Sequence, residues 1–221
     1  MMIATKNVAL MPSKTNLQRI CKAISLLDAI FYPEWDGRYY SYNSKWFENE
    51  EFFEIRNGCG DHIMILFIKD NCVINGFVNE FYYGDKTKEN LTKGMPEIYN
   101  EFIFGEPVSS MGTSFCLWTN GEGVWQTGKI GANEDGSEEF LNIFDGNPQT
   151  YIDWAVDYFE IGSENEEDEG LVKTRINKTV SEIYEGKKLT KEMVLLLDKN
   201  FDDWKRLEED LMDIAYNYDF K

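Results

Sequence analysis

A single histidine, His62, supplies all the imidazole in this chain. Metal centres built on two or more histidines are therefore excluded, and His62 is the only ordinary general base near neutral pH. It stands beside Asp61 at the start of an apolar run, where a local hydrogen bond accounts for it without catalysis. No GxSxG elbow accompanies it, and neither GxGxxG nor GxxxxGK[ST] occurs to cradle a phosphate. The four cysteines, Cys21, Cys59, Cys72 and Cys116, form no CxxC pair. Structural zinc is not expected from that spacing, and reduced thiols in a cytoplasm are. No cofactor is indicated. No window approaches the roughly 18 uncharged apolar residues that a membrane-crossing helix needs. The first residues lack both the continuous apolar run and the small-residue cleavage site of a signal peptide.

Positive charge is also scarce, and unevenly so. The first 110 residues carry 15 acidic and 11 basic side chains, and the remaining 111 carry 25 and 11. Between Ile130 and Val172 there are 13 Asp or Glu and no Lys or Arg. With a formal net charge of −18, the field repels nucleic acid and anionic membrane surfaces, so neither is expected as a partner. It attracts a basic protein. High negative charge also serves solubility alone, so charge by itself does not choose between these roles. The acidic stretches NEDGSEE (133–139) and SENEEDE (163–169) lack alternating oxygen ligands followed by Gly and a terminal Glu in register, and calcium loops are not expected there.

What is present is enough to fold. Hydrophobic residues make up 43% of the chain and aromatics 15%, far above a disordered composition. Leu17, Ile20, Ile24, Leu27 and Phe31 fall at helical spacing and predict a helix over Ser13–Phe31, ended by Pro33. Asp28 lies beside that stripe. Residues 38–83 read as a meander of strands, with HIMILFI (62–68) apolar enough to be covered on both faces. Turns are predicted at Asn57-Gly58 and Asp70-Asn71. PEIYNEFIF (96–104) predicts a short helix, and TSFCLWT and VWQTGKI a second hairpin. Ser137, Asn147-Pro148, Thr190 and Asn200 are predicted helix caps. The fold class is α+β: an antiparallel sheet of about five or six strands flanked by N-terminal and C-terminal helices. The linear organisation is a core domain over 1–161, an acidic linker or loop over 162–170, and a helical segment over 171–221 packing on the core.

Two sets of residues stand out as partner-binding candidates. Trp35, Tyr39, Tyr40, Tyr42 and Trp46 cluster around the first strand. With period 2, Tyr40, Tyr42 and Trp46 face one way and Tyr39 the other, so either one face is core or some rings are exposed as binding anchors. Asp153 and Asp157 lie one turn apart on a helix whose apolar stripe runs through Trp154 and Tyr158, and they offer negative charge to a basic surface.

The segments LLDAIFYPEWDGRYYSYNSKW (26–46), RNGCGD (56–61), INGFVNE (74–80) and FLNIFDGNPQTYIDWAVDYFE (140–160) resemble a family of small acidic bacterial proteins without an assigned activity. An acidic α+β chain of this size is also similar in style to the SMI1/KNR4-type immunity proteins that neutralise bacterial toxins. Neither likeness assigns a role to a residue. The resulting expectation is a non-enzymatic protein-binding module, of which an acidic immunity-type inhibitor of a basic toxin is one form. A cytoplasmic interaction or regulatory adaptor and a hydrolase with an unrecognised carboxylate site are the alternatives.

Overall fold

A computed structural model describes residues 2–84, 87–129, 134–162 and 168–221. Six strands form an antiparallel sheet in sequence order: β1 (Tyr40–Phe47), β2 (Glu50–Arg56), β3 (His62–Ile68), β4 (Asn71–Phe77), β5 (Phe115–Thr119) and β6 (Trp125–Thr127). The β2–β3 turn is held by Asn57, whose Oδ1 accepts the backbone N–H groups of Cys59 and Asp61 while its Nδ2 donates to the Asp61 carboxylate at 2.7 Å. Gly58 and Gly60 take the positive φ angles, 74° and 105°, that this turn demands. The β3–β4 turn falls one residue earlier than predicted. Ile68 pairs with Asn71, so Lys69 and Asp70 form the loop, with Lys69 at φ 50°.

The chain divides into two compact units that do not follow the linear partition: one holds residues 1–18 and 43–145, the other 19–42 and 146–221. In the first, β3 is covered on both faces, as its unbroken apolar run demands. Met64, Leu66 and Ile68 face a core shared with Phe52, Val73, Cys116 and Trp118. That face is roofed by residues of α3 (Asn100–Phe104) and α4 (Val108–Met111), which follow the short helix α2 (Lys88–Leu91). Tyr99 anchors the roof by donating its hydroxyl to the Thr119 carbonyl at 2.8 Å. On the other face Phe53 meets Phe144 edge-on, and the Trp125 indole N–H donates to the Pro12 carbonyl at 2.7 Å.

The second unit is helical. It contains most of α1 (Lys14–Phe31), then α6 (Pro148–Tyr158), α7 (Glu169–Tyr184), α8 (Lys191–Leu197) and α9 (Trp204–Ile214). A two-strand parallel pairing, β7 (Leu189–Thr190) with β8 (Tyr218–Asp219), completes it. Asn147 caps α6 through Gln149 N–H with Pro148 in the first turn, and Thr190 caps α8 through Met193 N–H, both as predicted. Two caps differ. Ser137 is the first residue of α5 (Ser137–Leu141), its buried hydroxyl donating to Asp135 Oδ1 rather than capping the helix. Asp203, not Asn200, caps α9, because it stands directly before the helix and accepts from Arg206 N–H. Leu207, Leu211 and Ile214 of α9 are buried.

The acidic linker predicted over 162–170 is largely outside the described residues, which omit 163–167. Its C-terminal part is helix: Asp168 caps α7 by accepting from Leu171 N–H, and Glu169 and Gly170 begin it.

Candidate protein-binding surface

In the helical unit, α1 ends at Phe31 and the chain turns back through residues 32–39. Two buried charged side chains fix that turn. Asp28 is fully buried, and its Oδ2 accepts the backbone N–H groups of Tyr39 and Tyr40 at 3.0 and 2.9 Å. Its Oδ1 accepts the Tyr151 hydroxyl at 2.9 Å, tying α1 to α6. Burial pushes the Asp28 carboxyl up to about 7, although these three donors and the nearby Arg38 pull it down. Arg38, itself buried, donates to the Tyr32 and Pro33 carbonyls at 3.0 and 2.6 Å and makes a bidentate pair with Asp210 of α9, both bonds 2.7 Å. A planar guanidinium can satisfy a carboxylate and two carbonyls at once, which an ammonium in its place could not. Gly37 is required for contact: a Cβ there would lie 2.3 Å from the Tyr32 ring.

This turn and α6 together carry a continuous aromatic cluster. Trp154 stacks on Tyr158 at 4.8 Å and meets Tyr39 at 4.8 Å and Phe159 at 5.6 Å. Phe159 in turn meets Phe31 at 5.8 Å and stacks with Tyr32 at 6.4 Å. The cluster is anchored in the core through Tyr40 and Tyr151, but its outer members are not covered. Tyr32 and Tyr158 are exposed, and Trp35, on the turn held against Tyr32, is 50% exposed. Glu34, Asp36, Asp157 and Glu160 are exposed on the same two segments. The combination is an amphipathic aromatic surface set among acids.

The predicted candidates separate. Trp35 and Asp157 are exposed as a binding role requires. Asp153 is exposed but engaged: the Lys173 ammonium lies 2.8 Å away and Gln149 donates to it, and these bonds hold its carboxyl below the ordinary range. Tyr40 and Tyr42 are corrected from binding candidates to core residues, at 3% and 6% exposure. Both point to the inner face of β1. Tyr40 packs on Trp154 and Tyr151, and the Lys22 ammonium sits 5.0 Å from the centre of the Tyr42 ring. Trp46 is 41% exposed and belongs to the sheet unit, where it stacks on Phe52. Tyr32, Tyr158 and Phe159 were missed. A helical stripe read from α6 alone assigns Tyr158 and Phe159 to core, and Tyr32 lies outside any stripe; the returning 32–39 turn shows all three to be the rim.

His62 is engaged by Glu54. Its Nε2 lies 2.8 Å from Glu54 Oε2, and Arg56 Nε lies 3.5 Å from the other Glu54 oxygen. Glu54 is thus shared between the His62 ring and the Arg56 guanidinium across β2 and β3, and it is the ring's hydrogen-bond partner among the described residues. Among the described residues no group of three or more His, Cys, Asp or Glu comes together to hold a metal ion, and no helix is long and apolar enough to cross a membrane. The chain matches no protein-family model, no curated protein and no solved structure.

Proposed function

We propose that the chain is a non-enzymatic protein-binding module that docks a basic partner on the Trp35–Tyr158 surface, in the manner of an immunity-type inhibitor occluding its target. One observation carries this reading. An aromatic cluster rooted in the core opens two of its rings, Tyr32 and Tyr158, to solvent beside the exposed Trp35 and among exposed carboxylates, on a chain of net charge −18. Rigid aromatic anchors supply contact area at low entropic cost, and the surrounding charge steers a cationic partner and selects against acidic ones.

The test starts from the full tagged chain expressed in its own cells, with bound proteins cross-linked and identified. The partner is then purified and its association rate measured. A partner with a basic face is expected, with an on-rate that falls steeply as salt shortens the Debye length toward about 10 Å at 0.1 M. Asp157→Lys should slow association about threefold or more at low salt, and Trp35→Ala should speed dissociation. Stoichiometric loss of the partner's own activity would mark an inhibitor rather than an adaptor. A partner whose rates ignore salt and both substitutions would overturn the reading.

A further inference from the structure

The sheet unit holds a second aromatic and acidic feature, built differently. At the end of β1 the Trp46 ring stacks on Phe52 of β2, centroids 4.4 Å apart and planes 23° apart. Phe52 continues edge-on into Phe102 of α3 at 6.2 Å. Phe52 and Phe102 are buried, so Trp46 is the outer end of a ladder with its inner face covered and 41% of its surface still exposed. Phe47, beside it on the strand, is more exposed still.

Two carboxylates flank this ladder. Glu50 lies two residues before Phe52 on β2 and so on the same face, about 7 Å along the strand. Glu101 directly precedes Phe102 on α3. Burial first and the Glu101 charge second hold the Glu50 carboxyl above its ordinary range, which places the two acids within each other's field. Neither makes an ion pair or side-chain hydrogen bond with a described residue. Three nearby acids of the unit are partnered instead: Glu51 accepts from Gln18, Glu54 from His62, and Asp61 from Asn57 and the Asn79 N–H. Two neighbouring carboxylates left uncompensated beside an open indole face are complementary to a flat cation. A guanidinium stacks on an indole and donates in its own plane to carboxylates, whereas an ammonium can do only one of these well.

We propose that the Trp46–Glu50–Glu101 notch receives an arginine side chain from a protein partner. The guanidinium lies on the outer face of the indole and donates to the two carboxylates. The site stands on its own residues and does not depend on the Trp35 surface. The probe is a short blocked peptide with one arginine between glycines, titrated into the full chain while the Trp46 indole N–H and the Glu50 carboxyl are followed by NMR. Saturable shifts at both are expected, with the Glu50 pKa lowered in the complex. The matching citrulline peptide, neutral but isosteric, should bind at least tenfold more weakly, and the lysine peptide more weakly than the arginine one.

The double variant Glu50→Gln/Glu101→Gln and the single variant Trp46→Ala should each lose about tenfold in affinity. Trp46→Phe, which keeps a ring on Phe52, should stay folded and retain part of the binding. Equal binding of the citrulline peptide would sink the proposal, as would unchanged affinity in the double glutamine variant. So would a loss in Asp157→Lys as large as in the double variant, because the peptide would then be sensing overall charge. Shifts at Trp46 that depend on protein concentration without peptide would assign the face to a second copy of the chain and also overturn it.

Discussion

In the sheet unit Trp118 is 1% exposed and belongs to a core closed on every side by Phe52, Leu66, Phe102 and Val108. In the helical unit Trp35 is 50% exposed, on a turn whose backbone is pinned by two buried ionisable side chains. The first tryptophan is held by packing alone. The second rides on a polar scaffold, where Asp28 and Arg38 do the ordering that apolar burial does elsewhere. The difference teaches where an open aromatic surface can be maintained. Rings that face water contribute little to stability, so the backbone bearing them must be held by something else, and here that is a buried hydrogen-bond network.

The largest expected effect breaks the sheet side of this comparison. Trp118→Ala should destabilise the fold by about 3–5 kcal/mol, the range for emptying a large aromatic from a closed core, read as a lower midpoint of denaturant unfolding. Next comes pH. The Asp28 carboxyl is raised from 3.8 to about 7 by burial, so in between the native state keeps a proton that the unfolded chain has released. Stability should be fully present below about pH 4 and fall as pH rises through about 7, by on the order of 4 kcal/mol from this group. Unfolding midpoints of the wild type and of Asp28→Asn, measured across that window, check it, because the variant should lose this slope. Below about pH 4, where this term is fully present, Asp28→Asn should itself cost about 1–3 kcal/mol, since an amide cannot accept from all three donors, and the cost should shrink as pH rises. The smallest effect is Trp35→Ala, expected within about 0.5 kcal/mol of wild type. A loss of several kcal/mol there would mean that the ring supports the turn rather than being supported by it.

The sheet was readable from sequence because its signals are local: period-2 alternation, Asn-Gly turns and an unbroken apolar β3 each report on a few consecutive residues. The caps at Asn147 and Thr190 were readable for the same reason. The surface was only half readable. Trp35 and Asp157 could be named from their types and positions, but the same reasoning put Tyr40 and Tyr42 beside them, since a strand pattern alone does not say which face is inside. Arg38 and Asp210 lie 172 residues apart, and no local pattern links them. The closeness of Glu50 to Glu101 is equally invisible, since it follows from the Phe52–Phe102 contact between β2 and the distant α3. The grouping into compact units is equally non-local. Acidic composition at 162–170 looked like a boundary, yet compactness groups α6 with the helices that follow it.

The cysteines lend themselves to a practical use. Cys21, Cys72 and Cys116 are buried, and burial pushes the Cys116 thiol up to about 12 and Cys72 well above its ordinary value, so neither of these two supplies thiolate under mild conditions. Cys59 alone is exposed, at the tip of the β2–β3 turn that Asn57 and Asp61 hold in shape. A maleimide dye added to the folded, unmodified chain should therefore attach once, at a fixed position in the sheet unit. That single label is a ready-made reporter for following either surface as a partner arrives.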